Sequence, residues 1–139
     1  MTLKDYLSQC VLLDSAINCK LEQLEELKRK ELQSKSFLQS FSGGGSQSKV
    51  EQTVVKICML EQEINDDIDK YVDLKREIGE LIGSLSDITL KTLMEKHYLC
   101  GKKWELIAEE MFISLRNVMY LHKKAMATLE EKYSGSGIA

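Results

Sequence analysis

The chain has no proline at any of its 139 positions. Proline interrupts helices more strongly than any other residue, because it lacks a backbone N–H and its ring clashes with the preceding turn. Aromatic residues make up only 6% of the chain, which disfavours a β-sandwich. Because Leu, Glu and Lys are strong helix formers and are abundant here, these absences favour an all-α protein built from long helices.

Long apolar runs are also missing. No stretch approaches the ~20 apolar residues that a membrane-spanning helix needs. The N-terminal segment "MTLKDYLSQCVLLDS" is periodic and carries Asp5 and Asp14, unlike a secretory signal peptide. We therefore expect a cytoplasmic protein without a membrane partner. The four cysteines form no C-x-x-C pair, and in a reducing compartment such residues usually act as small apolar side chains.

The residue types needed for catalysis or metal binding are sparse. His97 and Cys100 lie close enough in sequence for a thiol–imidazole pair. No third residue that would orient the imidazole is evident, and no oxyanion-stabilising device accompanies the pair. The two histidines and the scattered cysteines do not have zinc-ligand spacing. We expect no enzymatic activity, no cofactor and no metal site.

The first part of the chain shows two helical stripes separated by a polar segment. Apolar residues recur at steps of three and four from Leu3 to Leu27, which predicts a helix. Residues 34–49 hold three consecutive glycines and several serines, which predicts a loop. From Val50 to Leu85 the apolar step averages about 3.5 residues, the period of a coiled-coil seam. Such a narrow rod needs a partner to bury its seam, and the partner is the first helix, a second copy of the chain, or both.

Helix start and stop signals follow the rod. Gly83 is placed to end it, and Ser86 or Asp87 is placed to cap a further helix that continues to about residue 99. Gly101 is a natural helix stop. The boundaries divide the chain into a helical hairpin or coiled coil at residues 1–85, a C-terminal domain at 86–133 and a flexible tail at 134–139.

The segment from Trp104 to Leu129 has the spacing of a helix-turn-helix. Ala108 is the small residue that lets a second helix cross closely, and Val118 and Leu121 are the apolar residues that fill the angle between the two helices. Ser114 is a good N-cap for the second helix, whose first turns would enter a DNA major groove. The turn position at Phe112 usually favours glycine, because the backbone there often needs positive φ. Either the turn has another shape, or Phe112 packs well enough to compensate.

The frame "IAEEMFIS" followed by Val118, Leu121 and Ala125 resembles region 4 of sigma-70-type RNA polymerase sigma factors, which reads the promoter −35 element. The whole chain is similar to a group of small phage and prophage proteins of Gram-positive bacteria, through "SGGGSQSKVE", "KICMLEQEIN", "HYLCGKKWELIAEEM" and "ISLRNVMYLHKKAM". This resemblance implies an N-terminal helical region, a serine/glycine linker and a sigma-region-4-like helix-turn-helix. It also implies a transcriptional regulator, often of late phage genes.

Charge is distributed as a local DNA-binding surface requires. Residues 86–133 hold eight Lys and Arg against seven Asp and Glu, whereas residues 1–85 hold eleven against fifteen. The segment from Ser114 to Lys124 contains cations and no acid. The candidates for phosphate contact are Lys102, Lys103, Ser114, His122, Lys123 and Lys124.

The candidates for base reading project from the first two turns of the second helix: Leu115, Arg116, Asn117, Met119 and Tyr120. Arg116 suits guanine, Asn117 suits adenine, and Leu115 suits the methyl group of thymine. Leu115 and Met119 are apolar where sigma factors carry basic or polar residues, so the same face could instead grip a protein such as RNA polymerase.

The function predicted from these patterns is a sequence-specific, DNA-binding transcriptional regulator that reads double-stranded DNA and forms a homo-oligomer through the helical rod. Two alternatives remain open. The chain could be a protein-interaction module that binds RNA polymerase or a phage component. It could also be a DNA-recognition subunit for genome packaging, as in small terminase subunits, which likewise join a helix-turn-helix to helical oligomerisation elements.

Overall fold

The computed structural model describes residues 1–40 and 47–135, with side chains for residues 1–34 and 50–133. Within these residues there are five α-helices, which are α1 (Leu3–Ser40), α2 (Gln47–Gly83), α3 (Ile88–Met94), α4 (Trp104–Glu110) and α5 (Leu115–Gly135). A π-helical segment, Glu95–Leu99, follows α3 directly. The described residues contain no strand, so the predicted all-α fold class is confirmed.

The predicted loop at residues 34–49 is corrected at both of its ends. α1 continues through Ser40 and α2 begins at Gln47. The three glycines fall within residues 41–46, outside the described residues. Serine costs a helix interior at most about 0.7 kcal/mol relative to alanine, so the serines flanking the glycines do not by themselves end a helix.

Residues Asp14–Lys70 form one compact unit, in which α1 and α2 pack side by side. Its core contains Leu24, Ile57 and Ile64, with Leu27 and Leu60 packed against them. Lys20 pairs with Asp67 at 2.6 Å, and Lys28 pairs with Glu61 at 3.8 Å. Because the partner numbers fall as the α1 numbers rise, the two helices are antiparallel. α1 thus covers Ile57, Leu60 and Ile64 of the α2 seam in this unit, whereas Val54 and Ile68 of the same seam are exposed.

A second compact unit consists of Met1–Leu13 and Tyr71–Ala139. Its core combines the start of α1, the end of α2 and all three later helices. The fully buried members include Leu7, Ile82, Leu93, Ile107, Val118 and Leu129. The division of the chain therefore differs from the predicted boundary at residue 85. The physical reason is that α3 and α4 have only seven residues each, too few to enclose a core without the two long helices.

The C-terminal end also differs from its prediction. α5 continues to Gly135, so helix occupies the first two residues of the predicted tail at 134–139, and residues 136–139 lie outside the described residues. Within residues 1–40 and 47–135, none of the helices combines the length and the hydropathy that crossing a bilayer requires.

Candidate nucleic-acid interface

The C-terminal helices are positioned first by the cap of α3. The carboxylate of Asp87 accepts hydrogen bonds from the backbone N–H groups of Thr89 at 2.9 Å and Leu90 at 3.4 Å. Of the two predicted caps, Asp87 is the one used. α3 then packs against α5, and its buried residues Leu90 and Leu93 belong to the same core as Val118 of α5.

A π-helical segment and a tight turn connect α3 to α4. The N–H of Cys100 donates to the carbonyl of Glu95 at 3.1 Å, a five-residue step that widens the last turn of the helix. Gly101 then adopts φ +68°, the left-handed conformation that ends many helices, so it stops the helix as predicted. The widened turn brings His97 and Tyr98 towards α4 and α5.

Four ring side chains meet where these elements converge, and we call them the aromatic cluster: His97, Tyr98, Trp104 and His122. His97 stacks on Trp104 with ring centroids 3.6 Å apart and an interplanar angle of 15°. Trp104 in turn lies 4.6 Å from the ring of His122. The Nδ1 of His97 donates to the carbonyl of Lys102 at 2.8 Å. The cluster therefore ties the π-helical segment to both helices that follow it.

Burial decides the charge state of the cluster. It lowers the pKa of His122 to about 4, with a smaller contribution from nearby His97. Burial also lowers the pKa of His97 and raises the pKa of Tyr98 to about 12. At neutral pH, Tyr98 is thus protonated, and its hydroxyl is hydrogen-bonded to Nε2 of neutral His122 across 2.7 Å. His122, a predicted phosphate contact, carries no positive charge there.

The turn between α4 and α5 spans residues 111–114. The N–H of Ile113 donates to the carbonyl of Ala108 at 3.0 Å, and Oγ of Ser114 accepts from the N–H of Asn117 at 3.1 Å. Ser114 is therefore the cap of α5, as predicted. Ala108 and Val118 are buried where the two helices meet, which agrees with the close crossing expected from the small alanine.

Phe112 departs from both expectations for this turn. The backbone does adopt positive φ, at +57°, so the turn has the shape that favours glycine. The side chain does not pack in compensation, because 94% of its surface is exposed. The expectation that Phe112 would either avoid this conformation or be buried is therefore wrong. The turn leaves an apolar ring in solvent two residues before the cap of α5.

The predicted base-reading residues lie on the outer face of the first two turns of α5. All five are exposed: Leu115, Arg116, Asn117, Met119 and Tyr120. Val118, which lies among them in sequence, is fully buried and anchors the helix to the core. The structure thus leaves all five residues accessible around this anchor, and Arg116 and Tyr120 lie on the side of α5 opposite Val118.

The predicted phosphate contacts fall into two groups. Lys103, Lys123 and Lys124 are exposed, as is Ser114. No ion pair among the described residues involves Arg116, Lys123 or Lys124. Lys102 is instead held by Glu110 at 2.8 Å, together with Lys96 at the same distance. The Lys102 ammonium, followed by Lys96, holds the pKa of the Glu110 carboxyl below its usual value.

Sequence reasoning missed the aromatic cluster and the exposure of Phe112. Tyr98 and His122 are 24 residues apart on different elements, and no periodicity signals their hydrogen bond. Phe112 did carry a signal, namely a bulky residue where the turn favours glycine. That signal identified an anomaly in the backbone but did not reveal where the ring points.

Together, fold and surface define an all-helical protein in which two helices, joined by a four-residue turn, present a face of mixed cationic and apolar side chains. Residues 31–131 match the family DUF1492, described as a protein of unknown function. The match spans most of the chain, so the chain belongs to this family. No curated protein and no solved structure matches the chain.

Proposed function

We propose that this protein is a sequence-specific DNA-binding regulator of transcription, of the type that its resemblance to small phage and prophage proteins with a sigma-region-4-like helix-turn-helix implies. The first turns of α5 would lie in the major groove of double-stranded DNA. The observation that carries this proposal is the outer face of α5, where the five predicted base readers are exposed and the cations Arg116, Lys123 and Lys124 have no ion-pair partner among the described residues.

The chemistry of this face suits a duplex. A guanidinium such as that of Arg116 matches the O6 and N7 acceptors of guanine, and an amide such as that of Asn117 matches the N6 and N7 of adenine. Lys123 and Lys124 lie about two turns further along, or roughly 12 Å at ~1.5 Å per residue. That offset suits contacts with phosphates at the edge of the groove.

The deciding experiment begins with selection of bound sequences from a random DNA pool at physiological salt. Dissociation constants for the enriched duplex are then measured over a range of salt concentrations. Changing both Arg116 and Lys123 to Ala should weaken binding and lower the salt slope by about one, because Lys123 is the phosphate contact of the pair and each such contact contributes roughly 0.9. A matched control changes Lys56 and Lys70, two exposed cations of α2, to Ala.

The control variant has the same net charge as the test variant and should bind like the unmodified protein. The proposal fails if the Arg116/Lys123 variant keeps both the affinity and the salt slope. An enriched motif with two spaced half-sites would further indicate that the protein binds as a homodimer.

A second candidate function is a protein-interaction module that binds RNA polymerase. Its support is the apolar share of the same surface, since Phe112, Leu115 and Met119 are all exposed. Titration with purified bacterial RNA polymerase, in the absence of DNA, tests this candidate. Deleting residues 86–139 is unsuitable as a test, because it would strip the core partners of Leu7 and Ile82.

A further inference from the structure

Phe112 has a strained backbone and an exposed apolar ring, and no packing within the described part of the chain compensates for either. A non-glycine residue at φ +57° is strained, because its Cβ crowds the backbone. The ring is also 94% exposed, so burial recovers none of that cost. Strain that packing does not explain is typical of functional positions.

The position of Phe112 points to the same ligand as α5. Phe112 precedes Leu115, the first residue of α5, by three residues, which is at most about 11 Å of extended chain. That reach corresponds to roughly three base steps at ~3.4 Å each. Leu115 and Met119, which lie four residues apart on α5, are further exposed apolar side chains at the start of this helix.

The charges around this apolar surface favour a polyanion. Arg116, Lys123 and Lys124 follow it on α5, and the carboxylate of Glu110 is neutralised by two lysines. In the sequence, the next acid before Glu110 is Glu109, which is exposed on α4. The carboxylate of Glu109 would repel a phosphate that approached this part of α4. The Phe112 ring is therefore better suited to contact a base edge than the DNA backbone.

We propose that Phe112 is a further base-contacting residue, whose ring packs against the 5-methyl group of a thymine at the edge of the site read by α5. Thymine is the base that offers an apolar group in the major groove, where the others present mainly hydrogen-bond donors and acceptors. This inference rests on the proposed function, and it adds to that function a preference for thymine at one defined position.

The test replaces thymine by uracil, which removes only the methyl group. Each thymine of the selected duplex is exchanged in turn, and dissociation constants are measured for the unmodified protein and for Phe112→Ala. The alanine keeps Cβ, and with it the backbone strain, but lacks the ring. At one position uracil should weaken binding by the unmodified protein about three- to fourfold, and Phe112→Ala should show no such loss there.

The matched controls locate the effect. Leu115→Ala should keep the uracil sensitivity assigned to Phe112, and Lys56→Ala should behave like the unmodified protein throughout. Near-unchanged thermal unfolding of Phe112→Ala, expected for so exposed a ring, shows that the variant is folded.

Three outcomes overturn the inference while leaving DNA binding intact: equal uracil sensitivity in the unmodified protein and Phe112→Ala, no sensitivity at any position, or a selected site that lacks thymine. Binding of purified RNA polymerase that depends on Phe112, together with DNA binding that does not, assigns the ring to a protein partner and also overturns it. Absence of specific duplex binding by the unmodified protein overturns the proposed function itself.

Discussion

The hydroxyl of Tyr98 lies 2.7 Å from Nε2 of His122, so the π-helical segment after α3 is bonded to the middle of α5. Trp104 of α4 lies beside both rings. The π-helical segment, α4 and α5 therefore contact one another at these three rings. The orientation of α5, and of every side chain on its outer face, depends on this contact as well as on the apolar core.

The first prediction concerns pH. The pKa of His122 is about 4 in the folded protein, against 6.5 as the ordinary value. The unfolded chain therefore binds a proton more readily than the folded one, so the free energy of unfolding is highest above pH 6.5 and falls as the pH drops from 6.5 towards 4. His97, whose pKa burial also lowers, contributes in the same direction. We expect His122→Gln to lose less stability than the unmodified protein between about pH 7.5 and pH 5.

Urea unfolding followed by the fluorescence of Trp104, the single tryptophan, provides the measurement. Glutamine retains an oxygen that can accept from Tyr98 but has no proton to bind in this range. If the two proteins lost the same stability over that interval, His122 would not be the titrating group.

The second prediction concerns strain at Phe112. Replacing it with glycine removes the steric cost of φ +57° and sacrifices no packing. After allowance for the greater backbone entropy of glycine in the unfolded chain, the free energy of unfolding should rise by about 0.5–1 kcal/mol. Phe112→Ala keeps Cβ and should remain within about 0.5 kcal/mol of the unmodified protein. Destabilisation by Phe112→Gly in urea unfolding would show that the strain is absent.

The third prediction separates the two roles of Ser114. Ser114→Ala removes the acceptor for the N–H of Asn117 and should lower the free energy of unfolding by about 1 kcal/mol. Ser114→Asp keeps an acceptor and should preserve stability, yet it places a negative charge at the candidate interface. Its affinity for the selected duplex should therefore fall, and more steeply at low salt. Equal affinity of Ser114→Asp and the unmodified protein would argue against a phosphate near the start of α5.

The fourth prediction concerns the N-terminal residues of α1. Leu7 is fully buried in the same core as α3, α4 and α5, so Leu7→Ala should lower the free energy of unfolding by about 2–5 kcal/mol. Leu12 lies in the same segment but is 67% exposed, so it supplies the control. Leu12→Ala should change the free energy of unfolding by less than about 0.5 kcal/mol. A fragment of residues 86–135 should fail to fold on its own. A cooperative unfolding transition from that fragment would contradict this view of the core.

Several local features could be predicted because their causes lie within a few residues. Ser114 was recognisable as a cap, and so was the pair Ser86 and Asp87, since a short polar side chain before an apolar run satisfies the free N–H groups of a helix start. Gly101 was recognisable as a stop for the opposite end. Ala108 and Val118 were recognisable as inward-facing from their spacing. The exposure of the outer face of α5 follows from the same periodicity, once Val118 is placed inside.

Other features depend on contacts between distant parts of the chain. The periodicity of α2 demanded a partner but could not say whether α1 or a second copy supplied it; the pairing of Lys20 with Asp67 shows α1 in that place. Residues 1–13 show the apolar periodicity of an ordinary amphipathic helix. Nothing in that pattern indicated that Leu7 would share a core with α5. The boundary predicted at residue 85 differs from the observed division for this reason.

The amino-acid sequence by itself determined that the chain is helical, that α5 begins after the cap Ser114, and that Val118 of α5 faces the core, because propensity, capping and periodicity act over one or two turns. Only the tertiary structure decided that the N-terminal residues complete the C-terminal core, that His122 is neutral beside Tyr98, and that Phe112 stands in solvent. Those outcomes depend on burial, and burial is set by which distant segments come together.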